Sequence, residues 1–235
     1  MVVGEHTEAV IDGFTRSACV FAAVAFQQAQ TRPVRLAHLL HAPAHLIAGA
    51  DRGLPCLVTV REPESAVISC VIREPYLTPA TVLGAWTRFY ARLLPHRDRL
   101  VVGEFTRVTT DLGSLIEEMN ARFGTAFTSF VHTPEHVERV FAFIEERAAR
   151  PAYEPHIGRY MSGLETAEEL DAARRAVAGA GPASSVPFEH RVARPSAARE
   201  ELRAGLQARY RDPALASHRQ RAEQVYAAFA GAPPR

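Results

Sequence analysis

The run Pro55-Cys56-Leu57-Val58-Thr59-Val60 passes directly into Arg61-Glu62-Pro63, and no other junction constrains the fold as tightly. A short, apolar, β-branched stretch reads as a strand buried on both faces. A proline just after it starts a helix, because its missing N–H is not needed in the first turn. The same alternation recurs along the first half of the chain. Glu8–Ile11 predicts a short strand ending at Asp12-Gly13, and Ser17–Gln30 an alanine-rich buried helix. Val34–Leu40 is a second apolar run, closed by His41-Ala42-Pro43, and Pro43–Ala50 predicts a short helix. Helices are expected near Glu64–Arg73 and Pro79–Leu94, then a strand over Leu100–Glu104. Thr110 or Asp111 caps a helix through Phe123, ended by Gly124. Strand and helix in alternation predict a parallel sheet with right-handed crossovers.

Beyond Phe130 the character changes. Pro134–Arg150 predicts a helix with Val137, Val140, Phe141 and Ile144 on its buried face. Pro151–Met161 reads as aromatic and irregular, and Ala178–Pro187 as a mobile loop. Pro195–Tyr210 and Pro213–Phe229 read as two closing helices. The expectation is one domain over 1–235, with an α/β core over 1–130 and a helical extension or lid over 131–235.

Composition narrows the function classes. The net charge of +1 gives no bulk attraction to nucleic acid or to a membrane. The 27 basic residues are all arginine, so any anion site must be built from arginine, histidine and backbone N–H groups. Cys19, Cys56 and Cys70 lack CxxC spacing and read as reduced thiols. With no basic segment ahead of an apolar run, and Ala18–Phe26 too short to span a bilayer, a cytoplasmic protein is expected.

Four groups of residues carry candidate chemistry. Gly13-Phe14-Thr15-Arg16-Ser17-Ala18-Cys19 lies between a strand and a helix, where backbone N–H groups and the positive helix end face an anion. Taken alone, the residues favour Ser17 as a plain helix cap. Arg61 closes the best strand and Ser69 follows on the next helix, as phosphate ligands or with Arg61 paired to Glu62 or Glu64. His41 is a candidate general base or a half-buried structural residue. His38, His41 and His45 have a zinc-like spacing but no matching carboxylate or thiol set in the sequence, so no metal is expected. Arg194, Ser196 and Arg199 open a late helix, as anion ligands or as a solvated helix start. Tyr153–Tyr160, with His156 and Arg159, lines an acceptor pocket or packs a helical lid.

The segment Leu57–Cys70 resembles the 3′-phosphate-binding segment of sulfotransferases dependent on 3′-phosphoadenosine 5′-phosphosulfate (PAPS), in which a strand runs into arginine and a helix bears serine eight positions later. Gly13-Phe14-Thr15-Arg16-Ser17 is similar in place and pattern to that family's 5′-phosphosulfate loop, of the form RSGTT in many bacterial members. Leu39-Leu40-His41-Ala42-Pro43 resembles its KTHLP segment at His and Pro. Trp86, Leu100–Glu104, Ser114–Gly124 and the closing helices are similar to later parts of small bacterial members. The chain departs from the family at Ala18-Cys19-Val20, where Gly-Thr-Thr is usual.

The resemblance implies a P-loop-type three-layer α/β/α fold with a parallel sheet and a helical C-terminal extension. It implies sulfuryl transfer from PAPS to a hydroxyl or amine of a small-molecule acceptor, releasing adenosine 3′,5′-bisphosphate. Gly13 to Cys19 would hold the 5′-phosphosulfate, Arg61 and Ser69 the 3′-phosphate, and Arg194, Ser196 and Arg199 would close over it. His41 would be the base and Arg16 the stabiliser of the departing oxygen. No nucleic acid or membrane partner is expected, and a homodimer is admitted. The competing readings are a non-catalytic nucleotide-binding or interaction protein and an ATP-dependent small-molecule kinase.

Overall fold

The computed structural model describes residues 2–149, 154–176 and 197–231. Four parallel strands, β1 (Ala9–Gly13), β2 (Leu36–His38), β3 (Cys56–Val60) and β4 (Val101–Glu104), lie in the order β2-β1-β3-β4. Register pairs Ile11 with Leu57 and Gly13 with Thr59, so β1 and β3 end level with each other.

Side chains alternate along each strand, as the period of two requires. Val10, Ala37, Cys56, Val58 and Val60 enter one core. Ala9, Ile11, Leu36, Leu57 and Val101 enter the other. Helices therefore cover both faces. The first core is closed by α2 (Pro43–Asp51), α3 (Pro63–Arg73) and α4 (Pro79–Leu93). The second is closed by α1 (Cys19–Ala29), α5 (Phe105–Thr110), α6 (Leu112–Phe123), α7 (Pro134–Ala149), α8 (Glu154–Met161) and α9 (Ala167–Ala176). Two later helices, α10 (Ala197–Tyr210) and α11 (Ala216–Ala230), return to the first core through Tyr210, Val225 and Phe229.

The chain moves from β1 to β2 across one face and from β2 to β3 back across the other. Both crossovers thus have the same hand, and the order reverses between β1 and β3. Ligands of open α/β sheets bind outside the strand ends at such a reversal.

β2 is an edge strand, and the turn after α8 covers it. Leu36 N–H donates to the Ser162 carbonyl at 3.2 Å, and His38 Nε2 meets Ser162 Oγ at 3.0 Å. Gly163 sits at φ +67, and a Cβ there would lie 2.1 Å from the Val34 carbonyl, so only glycine fits this approach. Burial pushes the His38 imidazole down to about 3, so it is neutral.

Three expectations change. Residues 154–161 form a helix rather than an irregular segment, with Ile157 and Met161 buried on the second core. Ala167–Ala176 is a helix that the sequence reading left unassigned. Ser17 does not cap α1: Ala18 holds the cap position in the left-handed region at φ 70, with no side-chain cap bond. The loop expected over Ala178–Pro187 lies outside the described residues. Among the described residues, no helix is long and apolar enough to cross a membrane.

Candidate functional site

The site forms where the ends of β1, β2 and β3 meet. Gly13 ends β1 against Thr59, and a Cβ on it would lie 2.3 Å from the Thr59 carbonyl. Phe14 turns into the first core and meets Phe89 edge-on, 5.9 Å between ring centroids. It anchors the loop and does not face a ligand. The buried Tyr90 hydroxyl accepts from Phe14 N–H at 3.3 Å and donates to the Thr59 carbonyl at 2.8 Å. Ser17 Oγ donates to the Phe14 carbonyl, and Cys19 Sγ lies 3.1 Å from Thr59 Oγ1. The side chains of Ser17 and Cys19 thus brace the loop from inside, which corrects their expected role as anion ligands. Thr15 is half-buried at the rim.

The loop reaches this shape through costly backbone. Arg16 and Ala18 take φ 68 and 70, and across the gap Leu39 and His41 take φ 56 and 51. These four are the non-glycine residues with positive φ among the described residues, and all lie at the ends of β1 and β2. Each costs roughly 1–2 kcal/mol, a strain that collects at ligand clamps and switch regions. The first turn of α1, without a side-chain cap, directs its N–H groups at the mouth of the loop.

Arg16, Arg61 and Ser69 converge. Arg16 Nε donates to Ser69 Oγ at 3.1 Å, and Arg61 Nη1 donates to the Arg16 carbonyl at 3.2 Å. Trp86 fixes the Arg61 backbone by donating Nε1–H to its carbonyl at 3.2 Å. The Arg61 guanidinium lies 4.0 Å from the Phe105 ring centroid. Beyond it opens a cleft of about 600 Å³, walled by Phe105, Tyr210 and Tyr226, with Glu62, Glu64, Glu104 and Glu223 at its rim. Tyr226 donates its hydroxyl to Glu104, and Arg211 pairs with Glu64 at 3.2 Å.

On the β2 side the hub is Asp12, a residue the sequence reading passed over. It is fully buried, and its carboxylate accepts from the N–H groups of Gly13 at 2.9 Å and Leu40 at 3.0 Å. It also accepts from His41 N–H at 3.1 Å and meets His45 Nδ1 at 2.8 Å. Burial alone would raise its pKa, but these donors, His41 and His45 foremost, hold it down at about 2. His41 Nδ1 also lies 2.8 Å from the Gly13 carbonyl. Burial disfavours charge on this ring, yet Asp12 and Cys19 beside it raise its pKa to about 10. At neutral pH His41 is an imidazolium. In that state it has no free lone pair with which to act as the base expected from an unperturbed histidine. His38 turns away to Ser162, so the histidine triplet does not converge.

Arg194 and Ser196 lie outside the described residues, as does Tyr153. Arg199 falls within α10, with its side chain undescribed. Residues 154–160 form the helix α8 against the second core, where Arg159 and His156 engage Glu165 at 2.5 and 3.2 Å. Of the residues missed by sequence reasoning, Asp12 alone had a local signal, a carboxylate closing an apolar strand before glycine. Thr59, Tyr90 and Phe105 act through contacts made only by folding. Comparison with known proteins finds no matching family model, no matching curated protein and no matching solved structure.

Proposed function

We propose that the chain is a sulfotransferase on a P-loop-type fold, binding PAPS across the ends of β1 and β3. The observation that carries this reading is the convergence of Arg16, Arg61 and Ser69 at the reversal of strand order. Two guanidinium groups from distant segments, beside an uncapped helix start, suit a ligand with two separated phosphates. Arg16 and the first-turn N–H groups of α1 take the 5′-phosphosulfate, while Arg61 and Ser69 take the 3′-phosphate. The cleft beyond Arg61 offers flat faces to a purine, and its rim carboxylates can accept from an exocyclic amine.

In the reaction an acceptor oxygen or nitrogen forms a bond to sulfur as the bond from sulfur to the 5′-phosphate oxygen breaks. The electron pair goes to the phosphate, giving adenosine 3′,5′-bisphosphate, and the acceptor proton passes to water. Rate enhancement comes from in-line positioning and from cations facing the departing oxygen. Arg16 is one such cation. His41, already protonated, is a hydrogen-bond donor to the same group.

The inward-turned Ser17 and Cys19 favour a second reading, a nucleotide binder without turnover. Calorimetric titration with adenosine 3′,5′-bisphosphate and with ATP tests the first step. The bisphosphate should bind more tightly than ATP. Arg61→Ala should weaken it about tenfold to a hundredfold, the loss of one charge-assisted contact. Preference for ATP, or unchanged affinity in the variant, would overturn the proposal. Binding without consumption of PAPS across a panel of phenol, alcohol and amine acceptors would favour the second reading.

A further inference from the structure

Folding supplies the carboxylate and thiol that the histidine spacing lacked. Asp12 from the end of β1, Cys19 from the start of α1 and His41 from the segment after β2 each offer one ligand atom, all within 4.8 Å of one another. We propose that these three side chains bind a thiophilic divalent metal ion of the zinc type at the inner wall of the β1 loop. This goes beyond the nucleotide reading and does not depend on it.

The donor chemistry is selective. A thiolate, an imidazole and a carboxylate together suit Zn²⁺ and its late first-row neighbours, not Mg²⁺ or Ca²⁺, which take all-oxygen sites. Ligand atoms on a tetrahedron with bonds of about 2.0–2.3 Å stand roughly 3.5 Å apart, so movements of about 1 Å close the site.

Surrounding groups orient the donors. His41 Nδ1 is the ring nitrogen that faces the carboxylate, 3.4 Å from Asp12 Oδ1, and the proton it now directs at the Gly13 carbonyl, 2.8 Å away, leaves when the ion binds. Asp12 Oδ2 is occupied by Leu40 N–H and His45 Nδ1, which orient the carboxylate. Oδ1 accepts from Gly13 N–H at 2.9 Å and faces the His41 ring at 3.4 Å, so its second lone pair is the one that meets the cation. Thr59 Oγ1 lies 3.1 Å from Cys19 Sγ and can donate to a thiolate.

Cys19 and Asp12 are buried, whereas the His41 side chain is 33% exposed, so the ion enters past His41 and keeps its fourth position on that side. Binding displaces the thiol proton of Cys19 and the Nδ1 proton of His41 into solvent. The bound ion places positive charge beside a loop that has no lysine to supply it.

Chelator-treated full-length protein titrated with Co²⁺ alone provides the test. One equivalent should bind, with a thiolate-to-cobalt charge-transfer band in the near ultraviolet. Zn²⁺ should displace it and Mg²⁺ should not. Cys19→Ser should abolish the band, and His41→Gln should weaken Co²⁺ at least about tenfold. No saturable binding, or a band that survives in Cys19→Ser and so arises from Cys56 or Cys70, would overturn the proposal. If circular dichroism finds Cys19→Ser unfolded, the folded His41→Gln protein decides. Unchanged Co²⁺ affinity there refutes the site, and the stated loss sustains it.

Discussion

The ends of β1 and β3 lie side by side and make the same kind of turn, from a parallel strand into a helix, yet they are built in opposite ways. After β3 the chain enters α3 through Pro63 at a standard helix start, without positive φ, and Arg61 is held by stacking on Phe105 and by the Trp86 indole. Neither helix has a side-chain cap, but after β1 the chain passes through two left-handed non-glycine residues and buries a serine and a thiol. The first turn is stable by local rules. The second is stable only because Thr59, Tyr90 and Asp12 hold it from outside. Strain tolerated on one side and absent on its neighbour marks the β1 loop as the specialised half of the site.

The sharpest way to break this contrast is Gly13→Ala. The new methyl group meets the Thr59 carbonyl at 2.3 Å, and backbone cannot move aside without parting β1 from β3. Urea unfolding should show a loss of about 3 kcal/mol, whereas Glu62→Ala on the exposed β3 turn should stay within about 0.5 kcal/mol. Equal losses would remove the asymmetry.

Next in size is the charge pair at the β1 end, tested in chelator. His41 has a folded pKa of about 10 against 6.5 when unfolded, so its contribution is complete below pH 6.5 and disappears as pH rises through 10. Asp12 has a folded pKa of about 2 against 3.8, so its contribution is complete above pH 3.8 and disappears as pH falls through 2. Thermal unfolding should therefore show a plateau between these limits and a decline on the alkaline side. His41→Gln should lower the plateau by about 2 kcal/mol and flatten the alkaline limb. An alkaline limb unchanged in the variant would place that titration elsewhere.

The smallest effect sharpens the comparison. Ala18→Gly relieves a left-handed alanine and should stabilise the protein by about 1 kcal/mol in the same urea assay, less the added freedom of the unfolded chain. A loss of stability would mean that the Ala18 methyl group packs more than its backbone strains.

The strand and helix of the β3 side were readable from residues alone because their signals are local, a β-branched run and a proline at the helix start, whereas Arg61 and Ser69 stood out through the spacing of the family they resemble. The β1 side was only half readable. Its place and its Arg16 were expected, but Ser17 reads as a cap until the chain is seen to turn left-handed on either side of it. Asp12 was missed because its partners other than Gly13 lie 28 to 33 residues away, on segments whose approach is a tertiary event. His41 kept its predicted place and changed its charge for the same reason. Pro155 and Gly158 hid α8, whose helix is held by burial of Ile157 and Met161 rather than by propensity.

Trp86 is the one tryptophan in the chain, and its indole N–H is bonded to the carbonyl of Arg61. The molecule therefore contains an intrinsic fluorophore wired to the residue that the nucleotide reading needs most. Its emission wavelength and intensity report on that hydrogen bond without any label, so occupancy of the cleft can be followed optically in the unmodified chain.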